Sequence, residues 1–212
     1  MPDVRFEPRV FYRNELLLPL NLYPPFRVPP GITAYAPIFV SAQEMQRLAP
    51  ADTIKVVAGL TKTEFSLRFP DFAKQWRQVR SGSAARWQFQ GGGVCLDAAI
   101  GLYIAEGFQQ DPRIFAMIME HELLHVRDEV DLITRYAPAE ARRDQYVQRY
   151  LIDGREVDDS MFQTWFRGKG FQQWIHDGIW APEHNKRAMA RDSGTEWERY
   201  RENIDKSMRS PG

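Results

Sequence analysis

The order of strand-forming and helix-forming segments constrains the fold of this chain most strongly. The strand patterns, "TIKVVAGLTKTEFSLRF", "ARWQFQ" and "VCLDAAIGLYIA", all lie before Pro112, and the longer helical patterns all lie after it. β-branched and aromatic residues at alternating positions favour strands, whereas apolar residues at three- and four-residue spacings favour helices. Because strands and helices do not alternate, the order predicts an α+β domain with a mainly antiparallel sheet.

Local signals predict the individual elements. Ser41 and Glu44 have the spacing of a capping box, so a short helix is expected to begin at Ser41 and to end before Pro50. The segment "DFAKQWRQVR", residues 71–80, predicts a second helix that ends at "SGS". The strand over residues 94–104 alternates most clearly, and a long helix is expected from Pro112 to the breaker "APA" at 137–139. Another helix, "EARRDQYVQRYLID", ends near Gly154.

Three segments follow from these patterns. Residues 1–40 are rich in proline, including "YPPFRVPPG", and predict an extended N-terminal segment. Residues 41–180 form the predicted main domain, and residues 181–212 form a helical C-terminal extension.

Composition excludes several functional classes. The 28 basic side chains equal the 28 acidic ones, so no nucleic-acid partner is expected. The single cysteine excludes an internal disulfide framework. No stretch approaches the roughly 20 apolar residues of a membrane span, and the N-terminus lacks the apolar run of a signal peptide. We therefore expect a protein without a membrane span, either cytoplasmic or exported by a non-classical route.

The segment "IMEHELLHVRDE", residues 118–129, has the strongest chemical signal. On a helix, His121 and His125 lie on one face, about 6 Å apart along the axis. One ring nitrogen of each histidine can therefore bind the same metal ion. Glu122 lies about 100° round the helix from His121, where it can act as a general base without being a ligand. The apolar residues around the helix predict burial, and a buried carboxylate is costly without a nearby cation. The H-E-x-x-H pattern therefore predicts a Zn²⁺ site with Glu122 as the catalytic base.

A catalytic zinc usually has three protein ligands and one water. The candidates for the third ligand are His176, His184, Cys95, Asp131, Glu140, Asp153 and Glu156. Asp131 requires a break in the helix at Asp128, and Glu140 fits the first turn of its own helix. If the next helix returns antiparallel to the first, Asp153 and Glu156 lie level with the zinc along the helix axis. Cys95 fits a residue of a buried strand, and His184 fits the exposed first turn of a helix. We favour His176 because imidazole is the commonest ligand, with a half-exposed histidine in an aromatic cluster as its alternative role.

Residues 86–136 resemble a bacterial family of zinc-dependent peptidases defined mainly by sequence. The family pattern has a tryptophan strand, a cysteine followed by leucine, alternating strands and an H-E-x-G-H helix, which "RWQF", "VCLDAAIGLYIA" and "MEHELLHV" match here. A later histidine followed by glycine in the family is similar to "IHDG", whereas Leu124 stands where the family has glycine. The resemblance implies a zincin-like catalytic domain, over residues 41–180, with a peptidase-like zinc site. In zinc peptidases of the H-E-x-x-H kind an edge strand that pairs with the substrate precedes the active-site helix, and residues 94–104 have that place in this sequence.

These features together predict a zinc metallopeptidase. Zinc held by His121, His125 and His176 would activate water, and Glu122 would transfer its proton to the leaving amine. The expected substrate is a protein or a cell-wall peptide. The alternative is a non-catalytic binding or structural module on a zincin-like fold, in which "MFQTWFRGKGFQQWIHDGIW" forms a partner surface.

Overall fold

The structure is a computed structural model, and it describes residues 1–13, 37–49, 57–81 and 84–193, together with residues 198, 202 and 206. More than half of the predicted N-terminal segment, and half of the predicted C-terminal extension, lie outside the described residues. The strands are β1 (Val4–Tyr12), β2 (Ile38–Val40), β3 (Gly59–Arg68), β4 (Trp76–Ser81), β5 (Ala84–Phe89), β6 (Gly92–Ala105) and β7 (Val157–Asp158). The helices are α1 (Ala42–Leu48), α2 (Phe72–Gln75), α3 (Pro112–Asp131), α4 (Ala137–Arg143), α5 (Asp159–Met161), α6 (Gly170–Ile175) and α7 (Ala181–Asp192).

The strands form two sheets, and the fold is α+β as predicted. One sheet has the order β1-β6-β2, with β3 also paired to β6, and the other has the order β4-β5-β7. The predicted dominance of antiparallel pairing holds for β4-β5-β7, whereas β2 runs parallel to β6 with Ile38 opposite Tyr103. Since β6 is hydrogen-bonded to three other strands, it is an interior strand. The expectation that β6 is an edge strand available to a substrate backbone is therefore wrong.

Several local predictions are confirmed. Ser41 caps α1, and its hydroxyl accepts a hydrogen bond from the backbone N–H of Glu44 at 3.2 Å. The long helix begins at Pro112, and none of the described residues from Ile114 to Ile133 is exposed. The burial that the apolar pattern predicted for this helix is thus present.

Two helix predictions are wrong in part. In the segment 71–80 only Phe72–Gln75 is helical, and Trp76–Ser81 is strand β4. Trp76 is 4% exposed and lies opposite Phe89 in the ladder, so tertiary packing outweighs the helical pattern here. Pro138 does not break the chain's helical course, because a π-helical turn over Leu132–Tyr136 precedes it and Pro138 occupies the first turn of α4, where its missing N–H costs little.

The described residues divide into two compact units. The first comprises Met1–Val10, Phe65–Ala98 and Asp131–His184, and the second comprises Phe11–Glu64, Ala99–Val130 and Asn185–Gly212. These limits fall within strands and helices rather than at residues 40 and 180, so they do not test the predicted three segments.

Each unit has its own apolar packing. The first unit contains an aromatic core in which Trp76 contacts Phe89 and Phe166, with ring centroids 5.3 Å and 4.5 Å from its own, while Phe162 stacks on Trp87. In the second unit, Met45 of α1 packs with Tyr103 and Ala105 of β6. Among the described residues, no helix has both the length and the apolar character needed to cross a membrane.

Candidate metal centre

Helix α3 carries the H-E-x-x-H pattern and belongs to the second unit up to Val130. Its start is fixed by Asp111, whose Oδ1 accepts the backbone N–H groups of Arg113 and Ile114 at 2.9 Å and 3.2 Å. This cap satisfies two of the N–H groups that have no partner within the helix. The helix then runs without interruption through His121 and His125, so both imidazoles project from one rigid element, one turn apart.

The two imidazoles meet a carboxylate from a distant part of the chain. Nε2 of His121 lies 3.0 Å from Nε2 of His125, and Asp192 Oδ1 lies 3.2 Å from the first nitrogen and 3.1 Å from the second. Asp192 is the last residue of α7, and its side chain and both histidines lie in the second unit. Three potential ligand atoms thus form a nearly equilateral triangle.

The dimensions of this triangle suit a small divalent cation. Ligand atoms at about 2.0–2.1 Å from a tetrahedral zinc are about 3.3 Å apart. The observed separations of 3.0, 3.1 and 3.2 Å are within a few tenths of an ångström of that value. Two imidazole nitrogens and one carboxylate oxygen are also ligands that zinc accepts.

Hydrogen bonding alone accounts poorly for three mutual contacts. Each Nε2 atom has at most one hydrogen, which points along a single direction, and an ionised carboxylate has none. Two N–H groups directed at Asp192 Oδ1 would leave the two histidine nitrogens, 3.0 Å apart, with no hydrogen between them. A cation placed among three lone pairs satisfies all three atoms at once.

The site is accessible from one side. The side chains of His121 and His125 are 12% and 16% exposed, whereas that of Asp192 is 51% exposed. A structural zinc site is normally closed by four protein ligands, and a catalytic site keeps one position open for water or substrate. Three donors with a partly exposed carboxylate fit the second kind of site.

Glu122 points into the protein beside this triangle. Its residue is 5% exposed, and Oε2 accepts a hydrogen bond from the hydroxyl of Thr61 on β3 at 2.8 Å. The neighbouring residue Gly59 makes room for the carboxylate, because a Cβ at that position would lie 2.8 Å from Oε1. Strand β3 therefore determines where the Glu122 side chain can lie.

The charges of this cluster influence one another. Burial raises the pKa of Glu122, and the charges of His125 and His121 and the Thr61 hydrogen bond oppose that rise. Burial tends to lower the pKa of His125, but the hydrogen bond to Asp192 and the charge of Glu122 outweigh it and leave the pKa raised. Burial of Asp192 would raise its pKa, yet its hydrogen bonds to both histidines hold the pKa below its ordinary value.

No family model, curated protein or solved structure matches this chain. The resemblance to zinc-dependent peptidases therefore stays a prediction.

The structure brings His121, Glu122 and His125 to one helix, as the motif requires, but it gives His176 other neighbours. His176 belongs to the first unit, where its Nδ1 lies 2.6 Å from Asp177 Oδ1. Its ring centroid lies 5.1 Å from that of Trp180 and 6.0 Å from that of Phe65. These are the surroundings of a histidine in an aromatic cluster, the alternative role considered for it. The donor group around His121 and His125 contains Asp192 and not His176.

The other candidate ligands also have separate contacts. Asp131 lies 3.6 Å from Arg135, and Glu156 lies 4.0 Å from Arg86. Glu140 is in the first turn of α4, as expected, and pairs with Arg143. The remaining candidates are Cys95, buried in β6, His184, stacked on Trp180, and Asp153, which ends the turn over Val147–Ile152.

Asp192 is the site residue that sequence reasoning missed. It lies 67 residues beyond His125, in a segment predicted to be a helical extension of the domain. The available signal was an acidic residue at the end of a helix that also carries two arginines, Arg187 and Arg191. Such a pattern is common on solvent-facing helices and gives no indication of a ligand by itself.

Proposed function

We propose that this protein is a zinc-dependent hydrolase that cleaves amide bonds in a protein or peptide. His121, His125 and Asp192 hold the metal ion, and Glu122 is the general base. The convergence of three donor atoms within 3.2 Å of one another, beside a buried carboxylate on the same helix, is the observation that supports it most strongly.

The protein side chains have separable roles in this reaction. Bound zinc supplies Lewis-acid activation of water and of the substrate carbonyl. Glu122 accepts the proton of the attacking water and returns it to the leaving amine. The Thr61 hydroxyl holds Oε2, which orients the carboxylate on the helix.

The donor set alone is shared by another class of enzyme. Two histidines and one carboxylate also hold non-haem iron(II) in oxygenases. Glu122 favours hydrolysis, because a carboxylate next to a ligand in H-E-x-x-H spacing provides the proton transfer that hydrolysis requires. Metal analysis of protein purified without added metal separates the two classes, since the proposal requires zinc rather than iron.

The first experiment compares the wild type with Glu122→Gln. We expect one zinc per chain by mass spectrometry in both proteins, together with hydrolysis of a protein substrate or a wall-peptide mixture by the wild type alone. Glutamine keeps the size of the side chain and removes its basicity. A metal-free wild type that is unaffected by chelators would overturn the proposal, and full activity in the variant would exclude Glu122 as the base. Zinc retained without any activity in the wild type would favour the structural module instead.

A matched pair of variants tests the third ligand. Asp192→Asn should lose zinc, because an amide oxygen is a weaker ligand than a carboxylate, whereas His176→Gln should keep one zinc per chain. The opposite result would support the sequence-based choice of His176 over Asp192.

A further inference from the structure

A charged contact attaches the end of α7 to α3 next to the candidate metal ligands. Nε and Nη2 of Arg191 donate to the two carboxylate oxygens of Asp128, at 2.6 Å and 2.9 Å. A two-point contact of this kind fixes direction as well as distance. The Asp128 and Arg191 side chains are 17% and 31% exposed, so both are partly withdrawn from water.

A second arginine strengthens the same contact. Nη1 of Arg187 donates to the backbone carbonyl of Asp128 at 3.1 Å. Arg187 and Arg191 are four residues apart and thus lie on one face of α7. This face of the helix is therefore held against α3 at two successive turns, and both contacts converge on Asp128.

The geometry of α3 places Asp128 close to both candidate histidine ligands. It follows His125 by three residues and His121 by seven, so it lies on the side of α3 that carries both histidines. On α7, Arg191 directly precedes Asp192. The arginine contact to Asp128 consequently determines the height at which the carboxylate of Asp192 meets the two imidazoles.

We propose that Asp128 and Arg191 are positioning residues that hold Asp192 in place as the third metal ligand. Metal binding and attachment of α7 to α3 are consequently coupled, and each stabilises the other by the same free energy. This inference rests on the proposed metal site but adds residues that contact neither the metal nor the substrate. It also makes the state of α7 a determinant of how tightly the metal is held.

The charge of Arg191 makes the effect of losing its partner specific. With Asp128 present, both carboxylate oxygens of that residue accept from the guanidinium. If Asp128 is replaced by Asn, the guanidinium loses this charged partner, and the carboxylate of Asp192, the next residue along the chain, becomes an alternative one. Loss of Asp128 should therefore weaken the third ligand both by releasing the helix and by offering Asp192 another partner.

Zinc affinity measured by competition with a chelating indicator tests the proposal. Asp128→Asn and Arg191→Gln should each lower the affinity about 10- to 100-fold, the usual effect of removing groups that orient metal ligands. Arg191→Lys keeps the charge but lacks the planar fork, so a smaller loss is expected. Arg47→Gln is the matched control, because it removes the exposed Arg47–Glu44 ion pair of α1 in the same unit, and it should leave the affinity within about twofold.

A double-mutant cycle shows whether Asp128 affects zinc affinity through Asp192 or independently of it. If Asp128 acts through Asp192, then Asp128→Asn should cause no further loss of zinc affinity in a protein that already carries Asp192→Asn. An equal loss in both backgrounds, or unchanged affinity in Asp128→Asn, would overturn the inference. Failure of the proposed function gives a different result, namely a wild type that binds no zinc or that keeps zinc when both histidines are replaced.

Hydrogen exchange supplies a readout of the helix itself. Zinc should slow amide exchange in residues 185–192 of the wild type, and this protection should be reduced in Arg191→Gln. The thermal midpoint of each metal-free variant shows whether it is folded, and Arg191→Lys serves if the stronger substitutions unfold the protein. Equal zinc-dependent protection in the wild type and Arg191→Gln would contradict the coupling.

Discussion

Replacing Gly59 by alanine is the sharpest test of how β3 and α3 fit together. A Cβ at position 59 would lie 2.6 Å from Cγ2 of Ile118 and 2.8 Å from Cγ of Glu122. Carbon atoms in contact are about 3.5–4.0 Å apart, so these neighbours must move by roughly 1 Å. Ile118 is fully buried and Glu122 is 5% exposed, which leaves little free volume for such a movement.

Overpacking of this kind costs about 1–3 kcal/mol of unfolding free energy. For a chain of this size, a change of 1 kcal/mol shifts the thermal midpoint by about 2–4 °C. We therefore expect Gly59→Ala to lower the midpoint by about 2–12 °C in calorimetry of the metal-free protein. The matched control is Gly178→Ala, where an added Cβ meets no atom within 4 Å in a helical turn, so a gain of up to about 1 kcal/mol is expected.

A second substitution shows whether the contact itself is responsible. Ile118→Ala removes Cγ2, the atom closest to the added methyl group, so Gly59→Ala should cost less in that background than in the wild type. The reasoning is refuted if Gly59→Ala is as stable as the wild type, or if its cost is the same in both backgrounds.

Three further predictions concern single groups. Thr61→Val should cost about 1–3 kcal/mol in urea unfolding, because the buried Glu122 carboxylate loses its hydroxyl donor, and Thr61→Ser should retain most of that energy. Phe162→Ala should cost about 3–5 kcal/mol because this ring is 2% exposed within the aromatic core, whereas Phe11→Ala, at a ring that is 50% exposed, should cost less than about 0.5 kcal/mol by the same measurement. Zinc at 100 times its dissociation constant should stabilise the wild type by about 2.7 kcal/mol, an increase in midpoint that a chelator reverses and that Asp192→Asn reduces.

Sequence patterns predicted the elements whose signals are local. The cap at Ser41, the strand over residues 94–104 and the periodicity of α3 each follow from neighbouring residues, and each is present in the structure, although β6 is buried on both faces rather than at alternate residues. The polar and apolar residues of the segment 71–80 also fit helical spacing, so the local pattern predicts a helix there. Trp76–Ser81 is a strand because it pairs with β5. Such pairing depends on residues outside the segment, which a local pattern does not contain.

The candidate site divides in the same way. His121, Glu122 and His125 are fixed relative to one another by a single helix, so their spacing alone predicts their arrangement. The position of β6 within its sheet and the identity of the third donor depend on which strands and helices pack together. Ranking third ligands by residue type favours His176, because imidazole is common at zinc sites, whereas in the structure the carboxylate of Asp192 is the third member of the donor group.

The long chain separation between the ligands has an energetic consequence that the zinc-dependent stability can measure. His121 and His125 are four residues apart, so a metal held by these two residues alone joins groups that are only one helical turn apart. A metal that also binds Asp192 joins His125 to a residue 67 positions later in the chain. Because loop-closure entropy grows as (3/2)RT ln n, an unfolded chain that closes the longer loop on a metal loses about 2–3 kcal/mol more than one that closes the shorter loop. If Asp192 is a ligand, Asp192→Asn should therefore show less zinc-dependent stabilisation than the wild type at equal occupancy of the folded site, because a metal held only by two neighbouring histidines also binds the unfolded chain. Equal stabilisation of both proteins at equal occupancy would mean that the metal does not join α3 to α7.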